Sequence, residues 1–377
     1  MKGFFYFPIN IQKSDNQGVV KKCEAIVAAF RRYGCEADAF MLSDSGIEKN
    51  GTLWRVLDAK VQNNKFFFYL LFYRLIFKEL VRKNEFKDYD FVYIRFTFLT
   101  FPFICFLDTI KRQNPAIRII VEFPSFPYWT EAKDFPRKII FGLDFFWRKK
   151  FSKLVDKTVT FTEHSEIFNI PTFAIGNGVA VEKIPFSEGF IPSYRGKLNL
   201  VAVGNLSFWH GYDRLLRGLA KFHSPQNIEL KIIGKGSQLT HYQELTKKLV
   251  IESSVIFCGA LHGKDLENAV SQAHLAIGSL AIHRNGLSQA APLKHREYCA
   301  QGIPFILAGK DVDFQQDTPF VLYFPPDESD IDIEKLVDFY EHLLQIQPNY
   351  RKKMRAFAEE NLDWSIKLKP IWDWLQV

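Results

Sequence analysis

The chain alternates between short β-rich apolar runs and stretches of helical periodicity, and halfway along it starts that alternation again. GFFYFPI reads as a first strand, and VVKKCEAIVAAFRRYG as a helix with an apolar stripe through Val20, Ala25, Ile26, Ala29 and Phe30. FVYIRF, IRIIVEF, TVTFT and TFAIGNGV are four further strand-like runs, each closed by polar or turn residues. A loop from Pro185 to Gly196 follows. Then LNLVAVGNL, IELKIIGKG, VIFCGAL, LAIGSLAI and IPFILAG read as strands, with YDRLLRGLAKF, HYQELTKKL, KDLENAVSQA and LKHREYCAQG as helices. Strands joined by crossover helices make parallel sheets. A length of 377 residues accommodates two such domains. The expected architecture is α/β with two doubly wound, Rossmann-like domains, residues 1–182 and 183–360, and a terminal helix over 361–377 returning to the first domain. Ligands of open α/β sheets bind beyond the carboxyl ends of the strands, so the loops after strands and a cleft between the two domains are where chemistry is expected.

Composition narrows the function. Apolar residues are 47% and charged residues 24%, which excludes disordered and fibrous chains. Cys23, Cys35, Cys105, Cys258 and Cys299 lie far apart with no C-x-x-C pair, so neither a disulfide framework nor a zinc cluster is indicated and a reducing compartment fits. Forty-nine Lys and Arg against 42 Asp and Glu give +7, too mild to imply nucleic acid but suited to an anionic small molecule or lipid surface. The longest uncharged apolar run, Phe96 to Leu107, falls well short of the ~20 residues of a spanning helix. The apolar N-terminal run is too short for a signal peptide. A cytoplasmic protein, soluble or peripheral on the inner face of the membrane, is expected.

The most informative segment is NGLSQAAPLKHREYCAQGIPFI, residues 285–306. A small-residue turn (Gln289-Ala290-Ala291-Pro292) leads into a helix ending at Gly302. Pro292 sits where a first helical turn tolerates it. The free amides of Leu293 and Lys294, the positive helix end and the Lys294 ammonium together suit a diphosphate, and Glu297 could accept from ribose hydroxyls. An ordinary capped helix with solvated charges is the plainer alternative. LKIIGKGS (230–237) runs a strand into G-x-G, but Leu239 stands in place of a third glycine and no acid follows on a strand about 20 residues on, which excludes a nicotinamide dehydrogenase. Asp311-Val312-Asp313 and Asp330-Ile331-Asp332 spell D-x-D by chance, and the nine His show no paired ligand spacing, so no metal and no other cofactor is expected. No G-x-S-x-G elbow occurs.

Segment 285–306 resembles the Glu-x7-Glu region of the retaining glycosyltransferases of family 4, the group 1 type with the GT-B fold. It closely resembles a subgroup from bacterial capsule and exopolysaccharide clusters, with a small-residue turn, then P-L-K, R-E-Y and G-x-P-F in this order. The resemblance implies that Glu297 holds the nucleotide ribose. Gln289, eight residues upstream, stands where the family carries a first glutamate contacting the donor sugar; it keeps hydrogen bonds but not the charge. VAVGNLSFWHGYDRLLRGL (201–219) resembles the family's phosphate-gripping segment, with Gly204 kept and Asn205 and His210 in place of Arg and Lys. Aromatic packing beside Trp209 is the alternative role for His210. Gly234, Lys235 and Gly236 would line the donor pocket, and Cys258 is read as core rather than nucleophile.

In the first half, NQGVVKKCEA (16–25) resembles the Gly-rich first loop over the donor phosphates and acceptor, with Gly18 kept. IIVEFPSFPYWTE (119–131) has Pro124 and Ser125 where the family often has a strand-end His. Glu122 and Glu131 are open between acceptor base and structural role, Arg95 ends its strand toward the same edge, and His164 follows another strand. IGNGV (175–179) resembles the hinge before the linker. The likeness spans essentially the whole chain, strongest at 201–306 and weakest at 40–90.

The resemblance implies a glycosyltransferase (EC 2.4 class) moving a hexose or related sugar from a nucleotide-sugar to a glycan acceptor, lipid-linked, in surface polysaccharide biosynthesis, with retention and without a metal. Lys294, His210 and Gln289 would act at the reacting centre; Glu297, Asn205, Gly204, Gly234, Lys235, Gly236, Pro292 and Leu293 would bind donor; Gly18, Arg95, Glu122, Ser125 and His164 would face acceptor or cleft. The alternative is a catalytically degenerate nucleotide-sugar-binding or membrane scaffold subunit. Two aromatic and cationic stretches, 63–87 and 135–157, suit either an anionic membrane interface or the first domain's core with a solvated cationic face.

Overall fold

A computed structural model describes residues 1–13, 16–55, 65–128, 142–186, 194, 196–223 and 227–377, with the side chains of 55 and 65–71 left aside. The chain divides into two compact units, Met1–Gly176 with Lys367–Val377, and Asn177–Ile366.

The first unit is built on one sheet of order β4-β3-β2-β1-β5-β6-β7-β9-β8. Its parallel centre is β2 (Glu36–Ser43), β1 (Lys2–Asn10), β5 (Phe91–Arg95), β6 (Arg118–Phe123), β7 (Lys157–Thr160) and β9 (Ile170–Ala174). The hairpin β3 (Gly46–Lys49) and β4 (Thr52–Arg55) runs antiparallel at one edge, and β8 (Glu166–Ile167) at the other. β1 is buried from Gly3 to Pro8, as a strand covered on both faces must be. Rings fill the space: Phe4 stacks on Phe40 with centroids 4.4 Å apart, and Phe96 on Phe123 at 4.4 Å. Helix Lys65–Lys83 belongs to this core. Phe72, Ile76, Phe77 and Leu80 recur at helical spacing and are buried, with Phe77 stacked on Phe106 at 4.7 Å. Arg74 and Lys78 lie on its exposed face. Of the two stretches that could suit a membrane, 63–87 is thus a core helix over its described side chains. Residues 135–141 of the other stretch, and Glu131, lie outside the described residues.

Lys367–Val377 completes this unit from the far end of the chain. Trp372 stacks on Tyr33 at 5.3 Å, and the Arg118 guanidinium donates to the Trp374 carbonyl at 2.6 Å.

The second unit holds a six-stranded parallel sheet of order β12-β11-β10-β13-β15-β17: Val255–Gly259, Asn227–Ile233, Lys197–Val203, Leu275–Ile277, Phe305–Ala308 and Val321–Phe324. Its first strand, β10, pairs with β11 on one side and β13 on the other. The winding therefore reverses between β10 and β13, where a doubly wound sheet opens a crevice at its carboxyl edge. A two-stranded ribbon, β14 (Gln289–Ala290) with β16 (Lys310–Asp311), lies beside it. Helices Ile333–Ile346 and Tyr350–Asn361 occupy a stretch for which the sequence reading named no element. Ile333, Leu336, Val337, Tyr340 and Leu343 supply the first one's apolar stripe.

The unit boundary falls at Gly176/Asn177 rather than 182/183, because within I-G-N-G-V the Ile175 N–H still donates to Thr160 O of β7 while N-G-V is already bonded into the second unit. Asn177 Nδ2 donates to the Ala291 carbonyl at 2.5 Å, and Val179 N–H donates to Leu362 O at 2.9 Å. A Cβ on Gly178 would stand 2.7 Å from the Trp364 ring, so glycine lets the chain pass close to it. Among the described residues no helix is long and apolar enough to cross a membrane.

Candidate functional site

The carboxyl ends of β10, β11 and β13 converge at the switch point of the second unit. Gly204, closing β10, donates its N–H to Ile233 O, and Gly234, closing β11, donates to Gly259 O at 2.7 Å. The two loops touch backbone to backbone. A Cβ on Gly234, whose φ is +136°, would sit 1.9 Å from Gly204 O, and one on Gly236 (φ +153°) 2.3 Å from Leu206 O. Close approach is what the G-x-G provides here. Lys235 and Asn205 are exposed on these turns.

The loop after β10 is locked to the loop after β13. Leu280 N–H donates to His210 O at 2.9 Å and Ala281 N–H to Trp209 O at 3.2 Å. His210 is buried, stacked on Tyr212 at 5.4 Å, and its Nδ1 accepts from Ser207 N–H at 3.2 Å. Burial, assisted by the nearby Lys294 charge, holds its pKa well below the ordinary value. His210 is therefore a neutral imidazole with Nε2–H as its remaining donor, without the charge of the Lys that the family carries there.

Lys294 lies in the first turn of helix Leu293–Gln301, which Pro292 opens without a side-chain cap. Its Nζ donates to Tyr212 Oη and to Gly278 O, each at 3.0 Å. Burial is the whole cause of its lowered pKa, about 7, and among the described residues no carboxylate lies within ion-pair distance. An ammonium held inward without an acid is costly unless an anion arrives. The N–H groups of Leu293 and Lys294 have no intrahelical partner at this helix start. Gln289 is half-buried on β14 and Glu297 is exposed on the helix.

Beneath this helix lies a network that sequence reasoning missed. The Arg296 guanidinium is fully buried and bonds Asp311 through two contacts of 2.6 Å, Asp313 at 3.0 Å, Asn177 O at 3.3 Å and Pro292 O at 3.2 Å. His295 Nδ1 meets Asp311 at 2.7 Å while its Nε2 accepts from Ser279 N–H at 3.2 Å. Burial pushes His295 down to about 4, so it is neutral and Nδ1–H is the donor. Burial works to raise the Asp311 carboxyl, but Arg296 and His295 overcome it and hold it at about 2. Both acids of this D-x-D are engaged with Arg296. Asp330 pairs with Arg217 and Lys221, and Asp332 caps helix Ile333–Ile346. The signal available in the sequence was R-E-Y, whose Arg was passed over for the neighbouring Glu.

In the first unit the register sets Arg95 beside Glu122 at the carboxyl ends of β5 and β6. The fully buried Glu122 accepts from Tyr93 Oη at 2.8 Å and from Arg95, and Lys22 Nζ stands 3.3 Å away. Burial would raise Glu122, but Lys22 and Arg95 bring it below the usual carboxylate range. Lys22 is itself lowered to about 8 by burial. With its oxygens engaged by Tyr93, Arg95 and Lys22, this carboxylate has the surroundings of a structural anchor. Gly18 lies in the first turn of helix Gln17–Arg32, not in a loop, and a Cβ there would meet nothing. His164 Nδ1 pairs with Thr162 Oγ1 at 2.8 Å and its ring edges Phe126 at 4.9 Å; Ser125 is half-buried nearby in sequence.

Residues 186–311 match the family model of glycosyl transferases group 1. No curated protein matches the chain by sequence. Among solved structures the chain is similar to a glycosyltransferase from Rickettsia africae ESF-5, 12% identical, covering 100% of this chain and 97% of that one with a TM-score of 0.66. It is similar also to Anabaena HepE solved in complex with UDP, at 13% identity, full coverage of both chains and a TM-score of 0.64. A third is WaaG, a glycosyltransferase involved in lipopolysaccharide biosynthesis, at 14% identity, 98% coverage of each and a TM-score of 0.60. At these identities the likeness is one of fold. Residues 186–311 thus carry the pattern of the group 1 glycosyl transferases, within a chain that takes the GT-B fold of two Rossmann-like α/β domains.

Proposed function

We propose that the protein transfers a hexose or related sugar from a nucleotide-sugar, with UDP as the first nucleotide to test, to a hydroxyl of a lipid-linked glycan in surface polysaccharide biosynthesis, at the inner face of the cytoplasmic membrane. The observation that carries this reading is the Lys294 side chain, half-buried at the switch point with no carboxylate within ion-pair distance among the described residues, in the first turn of helix Leu293–Gln301. A diphosphate supplies the missing negative charge. Lys294, the Leu293 and Lys294 amides and the neutral His210 Nε2–H then meet the charge that grows on the leaving diphosphate, and no metal is required for that task. Glu297, exposed one turn on, accepts from the ribose. Gln289 orients the donor sugar by hydrogen bonds alone. Retention would follow if the leaving phosphate takes the acceptor proton on the same face.

Lys294→Ala should lower turnover by roughly two orders of magnitude or more, the cost of one strong oxyanion donor. Turnover near that of the parent rejects the assignment. A thermal-shift screen against UDP, GDP, CMP and their sugar conjugates, with and without EDTA, should give a rise with one nucleotide family that EDTA does not change.

The exposed Asn205, the neutral His210 and the uncharged Gln289 favour a second reading, a nucleotide-sugar-binding subunit without turnover. Gln289→Glu separates the two: an enzyme keeps or loses rate, whereas a degenerate site gains it.

A further inference from the structure

We propose that the surface formed by Leu143, Phe145, Phe146 and Phe101 docks on an anionic lipid bilayer. These four side chains are 50%, 70%, 72% and 58% exposed, among the largest apolar exposures in the described residues. The rings meet: Phe145 and Phe146 lie 6.1 Å apart, Phe101 touches the next residue's ring, Trp147, at 5.3 Å, and Leu143 is two residues before Phe145 in the chain. Two of them open helix Phe145–Leu154, where the Arg148 guanidinium lies over the Phe145 ring at 5.9 Å and both rings stay largely exposed. The helix is fastened to the core through Phe151, which is fully buried, and through the half-buried Trp147. Exposed apolar area of this kind marks an interaction surface rather than a folding need.

Charge selects the partner. The helix reads FFWRKKFSKL, with four cations and no acid. Arg148 is held by Asp144 at 2.7 Å and Lys150 faces Asp108 at 3.5 Å. Lys149 and Lys153 are exposed and have no carboxylate within ion-pair distance among the described residues. A protein partner's interface core is depleted of lysine, whereas this patch interleaves lysines with rings. Rings at the acyl boundary with ammonium groups at the phosphates are the arrangement an anionic bilayer rewards. The helix is too short to do more than lie on the surface. This inference names the physical partner of the proposed lipid-linked acceptor, but it stands on the first unit alone.

The test is co-sedimentation of the full chain with vesicles of phosphatidylcholine, alone or mixed with phosphatidylglycerol. Binding is expected only to the mixed vesicles and should fall with added salt. Phe145→Ser with Phe146→Ser, and separately Lys149→Glu with Lys153→Glu, should each lower the partition coefficient about tenfold or more. Val250→Ser, at a position 82% exposed in the other unit, should leave it unchanged. All variants should keep the parent's thermal-shift response to UDP, which shows that they are folded. Absence of binding to the mixed vesicles, or binding that survives both double substitutions, overturns the proposal. So does a self-association seen by gel filtration that the phenylalanine variant abolishes while vesicle binding persists. Loss of the UDP response in the parent with vesicle binding intact would count against the donor site alone.

Discussion

The binding role proposed for Lys294 comes with a cost in stability, and the two can be separated by titration. Burial alone brings its pKa from the ordinary lysine value to about 7. Between about pH 7 and 10.5 the unfolded chain binds a proton at this residue that the folded chain does not, so the residue's contribution to stability rises with pH across that window and is least favourable below it. Lys294→Met, which keeps the length and removes the buried charge, should therefore raise Tm at pH 6 while abolishing the nucleotide-dependent shift. A variant with lowered Tm and a retained shift would contradict this. A diphosphate beside the amine favours the ammonium, so at pH 8 UDP binding should take up a proton, and affinity should strengthen as pH falls from about 8 toward 6. Calorimetry in buffers of different ionisation enthalpy reads that proton directly. The terminal phosphate of UDP also titrates here, with a pKa of about 6, so the proton is assigned to Lys294 with a UDP-sugar, whose diphosphate is esterified at both ends; the neighbouring His210 and His295 are held neutral by burial.

At the scale of elements, the carboxyl edge of the second unit's sheet, where the donor is proposed to bind, depends on two kinds of contact. The first is backbone approach: Gly234→Ala would put a Cβ onto Gly204 O at a φ of +136°, so it should cost about 1–3 kcal/mol from the strained φ alone and weaken UDP binding with it. The second is the buried network under helix Leu293–Gln301. Asp311→Asn leaves Arg296 short of its main counter-charge and should destabilise by about 3–5 kcal/mol, read as a drop in Tm and denaturant midpoint. Since the Asp311 pKa is depressed to about 2, its contribution is present above the ordinary carboxyl range and fades as pH falls toward 2. The contrast between these contacts explains what the sequence could tell. β10, β11 and β13 were legible because each ends in an apolar run that stops at a glycine. Gly234 and Gly236 were legible because glycine after such a run signals a tight turn. Arg296 was not, since a charged residue in a polar helix reads as solvated until a partner 15 residues on folds beneath it. Strand β2 and the hairpin β3–β4 were missed for another reason: E-A-D-A-F and G-I-E-K carry too little apolar pattern to stand out. The cationic aromatic helix at 65–83 was open between membrane and core because its composition fits both, and only the burial of Phe72, Ile76, Phe77 and Leu80 decides.

For the whole molecule, the division into units does not follow the order of the chain. Residues 367–377 belong with the first 176, and Trp372 and Trp374 tie them to Tyr33 and Arg118. A chain cut after Ile366 should lose thermal stability in the first unit and keep the UDP-induced stabilisation of the second, so calorimetry should separate one transition into two. Equal loss in both units would show that the tail acts more widely. Synthesis gives the same arrangement a clock. At about 5–20 residues per second, the stretch from 177 to 377 takes about 10–40 s to make. Through that interval the first unit waits on the ribosome with the place of Trp372 against Phe30 and Tyr33 still bare, while the second is assembled behind it. The half made first is finished last.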